Sequence, residues 1–460
     1  MSDLDNEFER GDTLGVEVVM SKFLSLAVMC SLAFPAMAFA QPEAPKQAAD
    51  DMEAEYDEET PPKPATSAEH EMPEPPKMAA DDMEEEYGEE PTEGERPFLD
   101  GLSWQVMASS FYRLSGYIDD GVTTAPSGEY NTLGYPYTSY NGFGLNYAGG
   151  LVQYTGEKFG VTVDLRWGTA APKLTPIAPV KQGYVSWMPH EKIALDGGFF
   201  DTIFGAEVAD EWDNANYSRG ALYFLRQPFN HMGIRSAFEL SDIAGLTLMV
   251  TNGGVLGGTP IDDNETPTLG WQFGLANDTV GFYFGGQHGA SNANDNKNWD
   301  QFFDFVLSVN VDWFTLLLNG DYQISPTGIL TDANDQPLGL DGKVFAYGHS
   351  LAFIFDMSDK WSLGLRGEHL SGNDNYRSIP VDAGGDPYGY LTTGTITLRY
   401  KPVEYLVLSL EGRGEWTSRD VYYSRTSPVA TDPDTMEQII EPNKRKNYAV
   451  ILGASAHIGN

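Results

Sequence analysis

Beyond residue 102, apolar and polar side chains alternate along the chain with a period of two, and this alternation constrains the fold more than any other feature. In the segment 159–168, one face carries Phe159, Val161, Val163, Leu165 and Trp167. The other face carries glycine, threonine, aspartate and arginine. Successive side chains of a β-strand point to opposite faces, so each such segment is predicted to be a strand with one apolar and one polar face.

Sixteen segments follow this pattern, and the connections between them are alternately short and long. We predict strands at 103–114, 142–154, 158–168, 181–189, 192–199, 231–240, 245–252, 269–276, 279–287, 301–311, 313–323, 344–356, 360–370, 389–400, 404–416 and 447–458. A transmembrane β-barrel has short turns on the periplasmic side and long loops outside. A soluble sandwich has no reason to sort its connections in this way.

The polarity of the two faces favours the same fold. Apolar residues outside and polar residues inside are the reverse of a soluble barrel, and the arrangement is stable only where the surrounding solvent is lipid. Aromatic residues fall at strand ends beside the short turns, as in an aromatic girdle: Trp104, Phe159, Trp187, Trp313, Trp361, Tyr400 and Tyr405. The predicted fold class is all-β, a transmembrane antiparallel β-barrel of about 16 strands preceded by a disordered acidic segment.

A secretory signal peptide is predicted at 20–40. It has a basic start at Lys22, an apolar core from Phe23 to Phe34 and a small-x-small exit at Ala38-Phe39-Ala40. We therefore expect translation to start at Met20 and residues 1–19 to be an over-extended gene start. Cys30 is the single cysteine and would be removed with this peptide, so no disulfide is expected.

Residues 41–98 are predicted to be a disordered periplasmic tether, followed by the outer-membrane barrel at 99–460. From 41 to 97 the chain holds 20 Asp and Glu, 4 Lys and Arg and 10 Pro, too polar a composition to bury a core. The segment Ala48–Tyr56 recurs as Ala79–Tyr87. Two interpretations stay open: a solvated spacer that arose by duplication, or a repeated motif that binds a periplasmic or cell-wall partner.

Several motifs between 181 and 253 resemble the OmpL-like putative β-barrel porin-2 family. They are Lys181–Trp187, Gly197–Thr202, Phe204–Glu207, Asp213–Arg219, Pro228–Arg235 and Thr251–Gly253. The resemblance extends over about 100–450 and implies a pore in the outer membrane of a Gram-negative bacterium. We expect both termini in the periplasm, the barrel in contact with the lipid bilayer and lipopolysaccharide, and a homotrimer.

The alternation predicts which charged side chains face the lumen. The arginines are Arg113, Arg166, Arg235, Arg366 and Arg413, and the carboxylates are Asp164, Asp196, Glu239, Asp304, Glu368 and Glu411. These charges would be very costly in lipid, so the lumen is predicted to be wet. The porin hypothesis is that small hydrophilic solutes diffuse through it passively.

The third long loop, 200–230, is predicted to fold into the lumen and constrict it. Its aromatic residues, among them Phe204, Trp212, Tyr217, Tyr223 and Phe224, are too apolar to remain in solvent. Its charged residues are Asp201, Glu207, Asp210, Glu211, Asp213, Arg219 and Arg226. If the loop folds inward, its carboxylates are expected to face arginines across the pore and to set up a transverse field. The alternative is a loop packed over the mouth of the barrel or against a neighbouring subunit.

Other functions have weaker support in the sequence. With 28 Lys and Arg against 67 Asp and Glu, electrostatic binding to nucleic acid is excluded. No nucleophile motif, cofactor loop or metal-ligand spacing is present, so we predict no enzyme, no cofactor and no metal site. Asn- and Asp-rich segments such as 262–265 are interpreted as turns rather than Ca²⁺ loops. A structural barrel that anchors an active acidic tether remains the alternative to a porin.

Overall fold

The computed structural model describes most of the chain beyond residue 100. The described residues are 101–115, 142–255, 261–262, 264–291, 296–326, 344–372, 389–418, 420–422, 429–431, 438–440 and 444–459. The predicted gene start 1–19, signal peptide 20–40 and tether 41–98 lie outside these ranges. No helix among the described residues is long and apolar enough to cross a bilayer.

Sixteen antiparallel strands form one closed barrel, as the sequence predicts. They are β1 (Leu102–Ser115), β2 (Gly142–Thr155), β3 (Phe159–Trp167), β4 (Val180–His190), β5 (Ile193–Asp201), β6 (Asn230–Ser241), β7 (Ala244–Thr251), β8 (Thr268–Ala276), β9 (Val280–Ala290), β10 (Trp299–Val311), β11 (Phe314–Ser325), β12 (Val344–Ser358), β13 (Trp361–Gly372), β14 (Gly389–Val403), β15 (Leu406–Thr417) and β18 (Lys446–Gly459). The predicted strands agree with these to within a few residues.

The barrel closes where its first strand pairs with its last. The register runs from Gln105 opposite Gly459 to Ser115 opposite Ala449. Every other strand pairs with its neighbours in sequence, and β15 pairs with β18. Closure leaves no sheet edge, so the backbone groups of the barrel strands bond to one another, as a lipid environment requires.

Apolar side chains face outward and polar side chains face inward along the strands. On β18, Val450 and Leu452 are exposed, whereas the polar Asn447 and Ser455 on the opposite face are buried. Trp187 and Trp313 are more than half exposed at strand ends beside short turns. Because such apolar exposure would be costly in water, this surface is suited to lipid.

The long connections contain short elements that the sequence did not predict. A two-stranded hairpin, β16 (Val429–Thr431) and β17 (Gln438–Ile440), lies between β15 and β18 and outside the barrel sheet. A single helical turn, α1 (Ala171–Leu174), follows β3. Elements of three or four residues are too short to show a period of two or of 3.6, so alternation cannot reveal them.

Candidate functional site

The connection between β5 and β6, residues Thr202–Phe229, is folded into the barrel, and we call it the inward loop. It contains a 3₁₀ turn (Glu211–Asp213) and a short helix, α2 (Ala221–Arg226). Its backbone and side chains bond to wall residues far apart around the barrel: Tyr147 on β2, Asn319 on β11 and Glu411 on β15. A segment that touches opposite walls through their inward faces lies inside the barrel.

Apolar burial holds the loop against the wall. Trp212, Tyr217, Leu222 and Phe224 share one buried cluster with wall residues of β1, β13, β14 and β18, among them Met107. Full burial of a side chain of this size contributes about 1.5–3 kcal/mol. The excess of aromatic residues in this loop therefore has a physical reason, since they face the wall instead of water.

Two wall glycines allow the loop backbone to approach closely. A methyl group on Gly364 of β13 would stand 1.8 Å from the carbonyl oxygen of Ala215. A methyl group on Gly453 of β18 would stand 2.3 Å from the ring of Tyr217. Any side chain at either position would displace the loop, so these glycines fit the wall to it.

Arg166 on β3 is the centre of the first ion network. Its guanidinium donates to both oxygens of Asp164, at 3.0 and 2.9 Å, and pairs with Asp210 of the loop. The hydroxyl of Tyr147 donates to Glu211 at 2.6 Å and also lies 3.0 Å from Asp210 Oδ1. Glu211 in turn pairs with the buried Arg219 at 2.9 Å. Each charge in this network has a partner, which buried charges require.

Arg366 on β13 is the centre of the second network. It pairs with Glu207 of the loop at 2.5 Å and with Glu368 on its own strand at 3.3 Å. It also donates to the carbonyl oxygen of Ser218 at 2.7 Å. Glu368 accepts hydrogen bonds from the backbone N–H groups of Ala221, at 3.0 Å, and Leu222, at 2.9 Å.

Two further arginines bind the loop through its backbone. Arg399 on β14 donates to the carbonyl oxygens of Asn214 and Trp212, at 2.5 and 2.6 Å. Arg413 on β15 donates to the carbonyl oxygen of Arg219 at 2.9 Å and pairs with Glu415 at 2.9 Å. The sequence analysis missed Arg399, although it alternates with Leu398 and Tyr400 and could have been found by the same pattern.

These pairs correct the expected transverse field. The loop carboxylates Glu207 and Asp210 contact wall arginines directly and do not face them across open space. The reason is burial, because arginines withdrawn from water need a partner within hydrogen-bond distance. Charge is therefore neutralised where the loop meets the wall.

The charged groups that remain open to solvent near the loop are mainly acidic. Side-chain exposure is 35% for Asp201, 22% for Asp210, 12% for Glu207 and 11% for Asp196. Among the lumen-facing arginines predicted at mid-strand, Arg235 is 19% exposed, whereas Arg166 and Arg366 are at most 2% exposed. Solvent therefore meets more carboxylates than guanidinium groups.

The remaining predicted residues have different surroundings. Asp196 and Arg235 form a cross-strand pair at 2.7 Å. Glu239 lies half exposed at the short-turn end, 3.6 Å from Lys192. Asp304 is buried beside Asn319 of β11. For three other predicted residues the structure gives the solvent exposure: Arg113 and Arg226 are buried, and Asp213 is exposed.

Burial raises the pKa values of the loop carboxyls, and pairing with an arginine lowers them. Burial raises the pKa of Glu207, against the lowering effect of Arg366. Burial acts in the same sense on Asp210, but Arg166 outweighs it and the pKa of Asp210 falls below its usual value. Asp213 is reached by solvent, yet desolvation by the protein around it and repulsion from Asp210 raise its pKa to about 6.

Glu368, His369 and Ser371 are neighbours on β13, and they are the nearest approach in sequence to a nucleophile–His–acid set. His369 and Ser371 point outward from β13, where His369 lies 2.9 Å from the hydroxyl of Thr392. Glu368 points inward to Arg366, so these three side chains do not converge. In the part of the chain that the structure describes, no group of three or more His, Cys, Asp or Glu side chains could hold a metal ion.

The family model described as putative beta-barrel porin-2, OmpL-like, matches residues 112–439. The chain belongs to this family. The resemblance found in the motifs between 181 and 253 is thereby confirmed. The closed barrel of sixteen strands is that of a porin-like protein of the outer membrane.

Solved structures of outer-membrane proteins resemble this barrel at low sequence identity. Outer-membrane expressed OmpT of Vibrio cholerae is 11% identical, with a TM-score of 0.46 over 78% of this chain and 97% of that one. The outer membrane channel DcaP of Acinetobacter baumannii is 12% identical, with a TM-score of 0.47 over 78% and 96%. The anion-selective porin from Comamonas acidovorans is 8% identical, with a TM-score of 0.47 over 78% and 98%. No curated protein matches the sequence.

Proposed function

We propose that this porin is a water-filled channel for the passive diffusion of small hydrophilic solutes and that the inward loop constricts it. The observation that carries the proposal is the loop's attachment to opposite walls of a closed barrel. A barrel of sixteen strands is wide enough for an aqueous channel, and a loop fixed within it narrows the path. Solutes would pass beside the loop, along its solvent-exposed carboxylates.

The exposed charges support a preference for cations. The carboxylate is the solvent-exposed member of two ion pairs near the loop: Asp201 and Asp210 are 35% and 22% exposed, whereas their partners Lys181 and Arg166 are 4% and 2% exposed. At about 0.1 M salt, charges further away than roughly 10 Å are screened, so charges at the narrowest point matter most. Cations are therefore the favoured ionic solutes of the proposed channel.

The purified protein is expected to form discrete conducting channels in a planar lipid bilayer. In a gradient of potassium chloride, the reversal potential should show that potassium passes more readily than chloride. A homotrimer, which we include in the proposal, would close in three equal conductance steps. Folded protein that inserts without conducting would contradict the porin function and leave the structural barrel as the better description.

We propose that the short turns face the periplasm, together with both termini. The support is the alternation of short and long connections along the barrel. Protease added to intact cells should cut a tag inserted at Asn264 or at Asn334, and it should not reach a tag at Asp278 or Ser358. Lysed cells are the control, since there all four tags should be cut. Cleavage of only the short-turn tags on intact cells would invert this topology.

A further inference from the structure

Two aspartates lie side by side on the inner face of the barrel wall, where the inward loop packs against it. Asp304 on β10 and Asp321 on β11 are direct partners in the strand register. They are 0% and 1% exposed, and a hydrogen bond joins their side chains. An ionised carboxylate has no proton to donate, so this bond requires that one of the two carboxyl groups carries a proton.

The wall around this pair supplies no compensating charge. In the register, Asp304 lies opposite Gly285 of β9 and Asp321 lies opposite Gly348 of β12. The neighbouring inward residues on their own strands are uncharged: Phe302, Val306, Asn319 and Gln323. The loop contributes Arg226, whose charge acts on Asp321, but neither aspartate forms a salt bridge with a residue that the structure describes. Two ionised carboxylates here would therefore repel each other with little to offset the repulsion.

Asn319 on β11 connects the pair to the inward loop. Its amide nitrogen donates to Asp304 Oδ2 at 2.7 Å and lies 3.4 Å from Asp321 Oδ1. Its amide oxygen accepts from the backbone N–H of Ala206, at 3.1 Å, and from the side-chain nitrogen of Gln227, at 2.6 Å. Ala206 lies near the start of the loop and Gln227 near its end, so one side chain holds both ends. The other two oxygens, Asp304 Oδ1 and Asp321 Oδ2, have no other donor among the described residues, and one proton between them completes both.

A second contact runs directly from the loop to the pair. The backbone N–H of Gly205 donates to Asp304. Gly205 has a φ of 88°, in the left-handed region that favours glycine, and a methyl group there would clash with the side chain of Gln227. The two aspartates, Asn319 and the loop residues 205, 206 and 227 thus form one hydrogen-bonded unit, which we call the clasp. Glu207, the next loop residue, is not part of it, because it pairs with Arg366.

We propose that Asp304 and Asp321 share one proton and that this proton keeps the clasp closed on both ends of the inward loop. With the proton in place, the pair carries a single negative charge, and Asp304 can accept from Asn319 and from Gly205. Without it, two adjacent buried carboxylates repel each other and move apart. Asn319 contacts both of them, so their separation displaces the amide that holds Ala206 and Gln227. The clasp therefore opens when the shared proton is lost at alkaline pH.

Infrared spectroscopy of the refolded protein detects the shared proton directly, because a protonated carboxyl group and a carboxylate absorb at different frequencies. The variant Asp321→Asn keeps a hydrogen-bond donor beside Asp304 and fixes one negative charge at every pH. It should lack one protonated carboxyl group that the original protein shows at neutral pH and loses at alkaline pH. Asp312→Asn, an exposed change in the turn of the same hairpin, is the matched control and should keep the band of the original protein.

Unfolding in urea shows whether the proton stabilises the fold. The unfolded chain releases both carboxyl protons near about pH 4, so at neutral pH the folded protein binds one proton more than the unfolded chain does. Its stability should therefore fall as the pH rises from about 7 to about 10. The fall should be larger in the original protein and in Asp312→Asn than in Asp321→Asn. Asp304→Asn, which places the same donor on the other strand, replaces Asp321→Asn if that variant does not fold.

Conductance in planar bilayers shows whether the proton controls the loop, and this measurement alone rests on the proposed channel. The same rise in pH should increase the conductance of the original protein more than that of Asp321→Asn. Asn319→Ala, which removes the bridge to the loop, should show the higher conductance already at neutral pH. The proposal is overturned if the original protein and Asp321→Asn have the same carboxyl bands, lose stability equally or conduct equally at both pH values. Protein that shows the expected bands and stabilities without conducting would contradict the channel and not the clasp.

Discussion

Replacing Arg366 with alanine should release the inward loop from the wall and raise the single-channel conductance severalfold. The guanidinium of Arg366 holds Glu207 and the carbonyl oxygen of Ser218 on the loop side and Glu368 on the wall side. Without it, two carboxylates remain in a buried region that has lost its central positive charge. Breaking a buried pair in this way costs about 3–5 kcal/mol. The loop can avoid that cost by moving into the lumen water.

The measurements are conductance in planar bilayers and the urea concentration at which the barrel unfolds. Lys192→Ala is the matched control, because it breaks an ion pair whose two side chains are 44% and 47% exposed. Exposed pairs contribute about 0–1 kcal/mol, so this variant should behave as the original protein does. A second variant, Arg366→Met with Glu207→Gln and Glu368→Gln, removes the charges together and should recover much of the lost stability. Unchanged conductance and stability in Arg366→Ala would show that the pair does not hold the loop.

The barrel could be predicted from sequence because its signal is repeated and local. The strands at 159–167 and 446–459 carry the same alternation of apolar and polar residues. Because one side of the wall meets lipid and the other meets water, the apolar face must point outward and the polar face inward. The inward position of Arg166 and Arg366 follows from that alternation alone. Whether a side chain faces the lumen or the lipid depends on its position in its own strand and not on the rest of the chain.

The partners of those residues could not be predicted in the same way. Arg366 meets Glu207 and Arg399 meets Trp212 because the loop takes one particular path through the barrel. That path depends on close contacts such as Gly364 against Ala215, which no periodicity encodes. Excess aromatic residues indicate that a loop folds inward, but they do not specify which wall it touches. Asp321 was missed, although it lies between Asn319 and Gln323 on the polar face of β11 and could have been found by the same alternation.

Removing the three carboxylates Glu207, Asp210 and Asp213 should convert the proposed cation preference into an anion preference. The triple variant Glu207→Gln, Asp210→Asn, Asp213→Asn loses negative charges that lie on the proposed path. It also removes the loop carboxylates that pair with Arg366 and Arg166, which keep only the wall carboxylates Glu368 and Asp164 as ion-pair partners, so the region around the loop becomes more positive. The loss of negative charge and the more positive surroundings of the loop both favour the passage of anions. We therefore expect a larger shift of the reversal potential than three lost charges alone would give.

The change at Asp213 alone isolates the part of this shift that involves no ion pair. Asp213→Asn removes one solvent-exposed carboxylate and should move the reversal potential a smaller distance in the same direction. The pH dependence gives an independent check. Desolvation and the neighbouring Asp210 raise the pKa of Asp213 to about 6, so this group is charged at pH 7.5 and mostly protonated at pH 5. Cation preference in the original protein should therefore weaken as the pH falls through 6, and it should weaken less in Asp213→Asn.

A reversal potential that is unchanged in the triple variant would mean that solutes do not pass the loop, and the constriction would have to be sought elsewhere in the barrel.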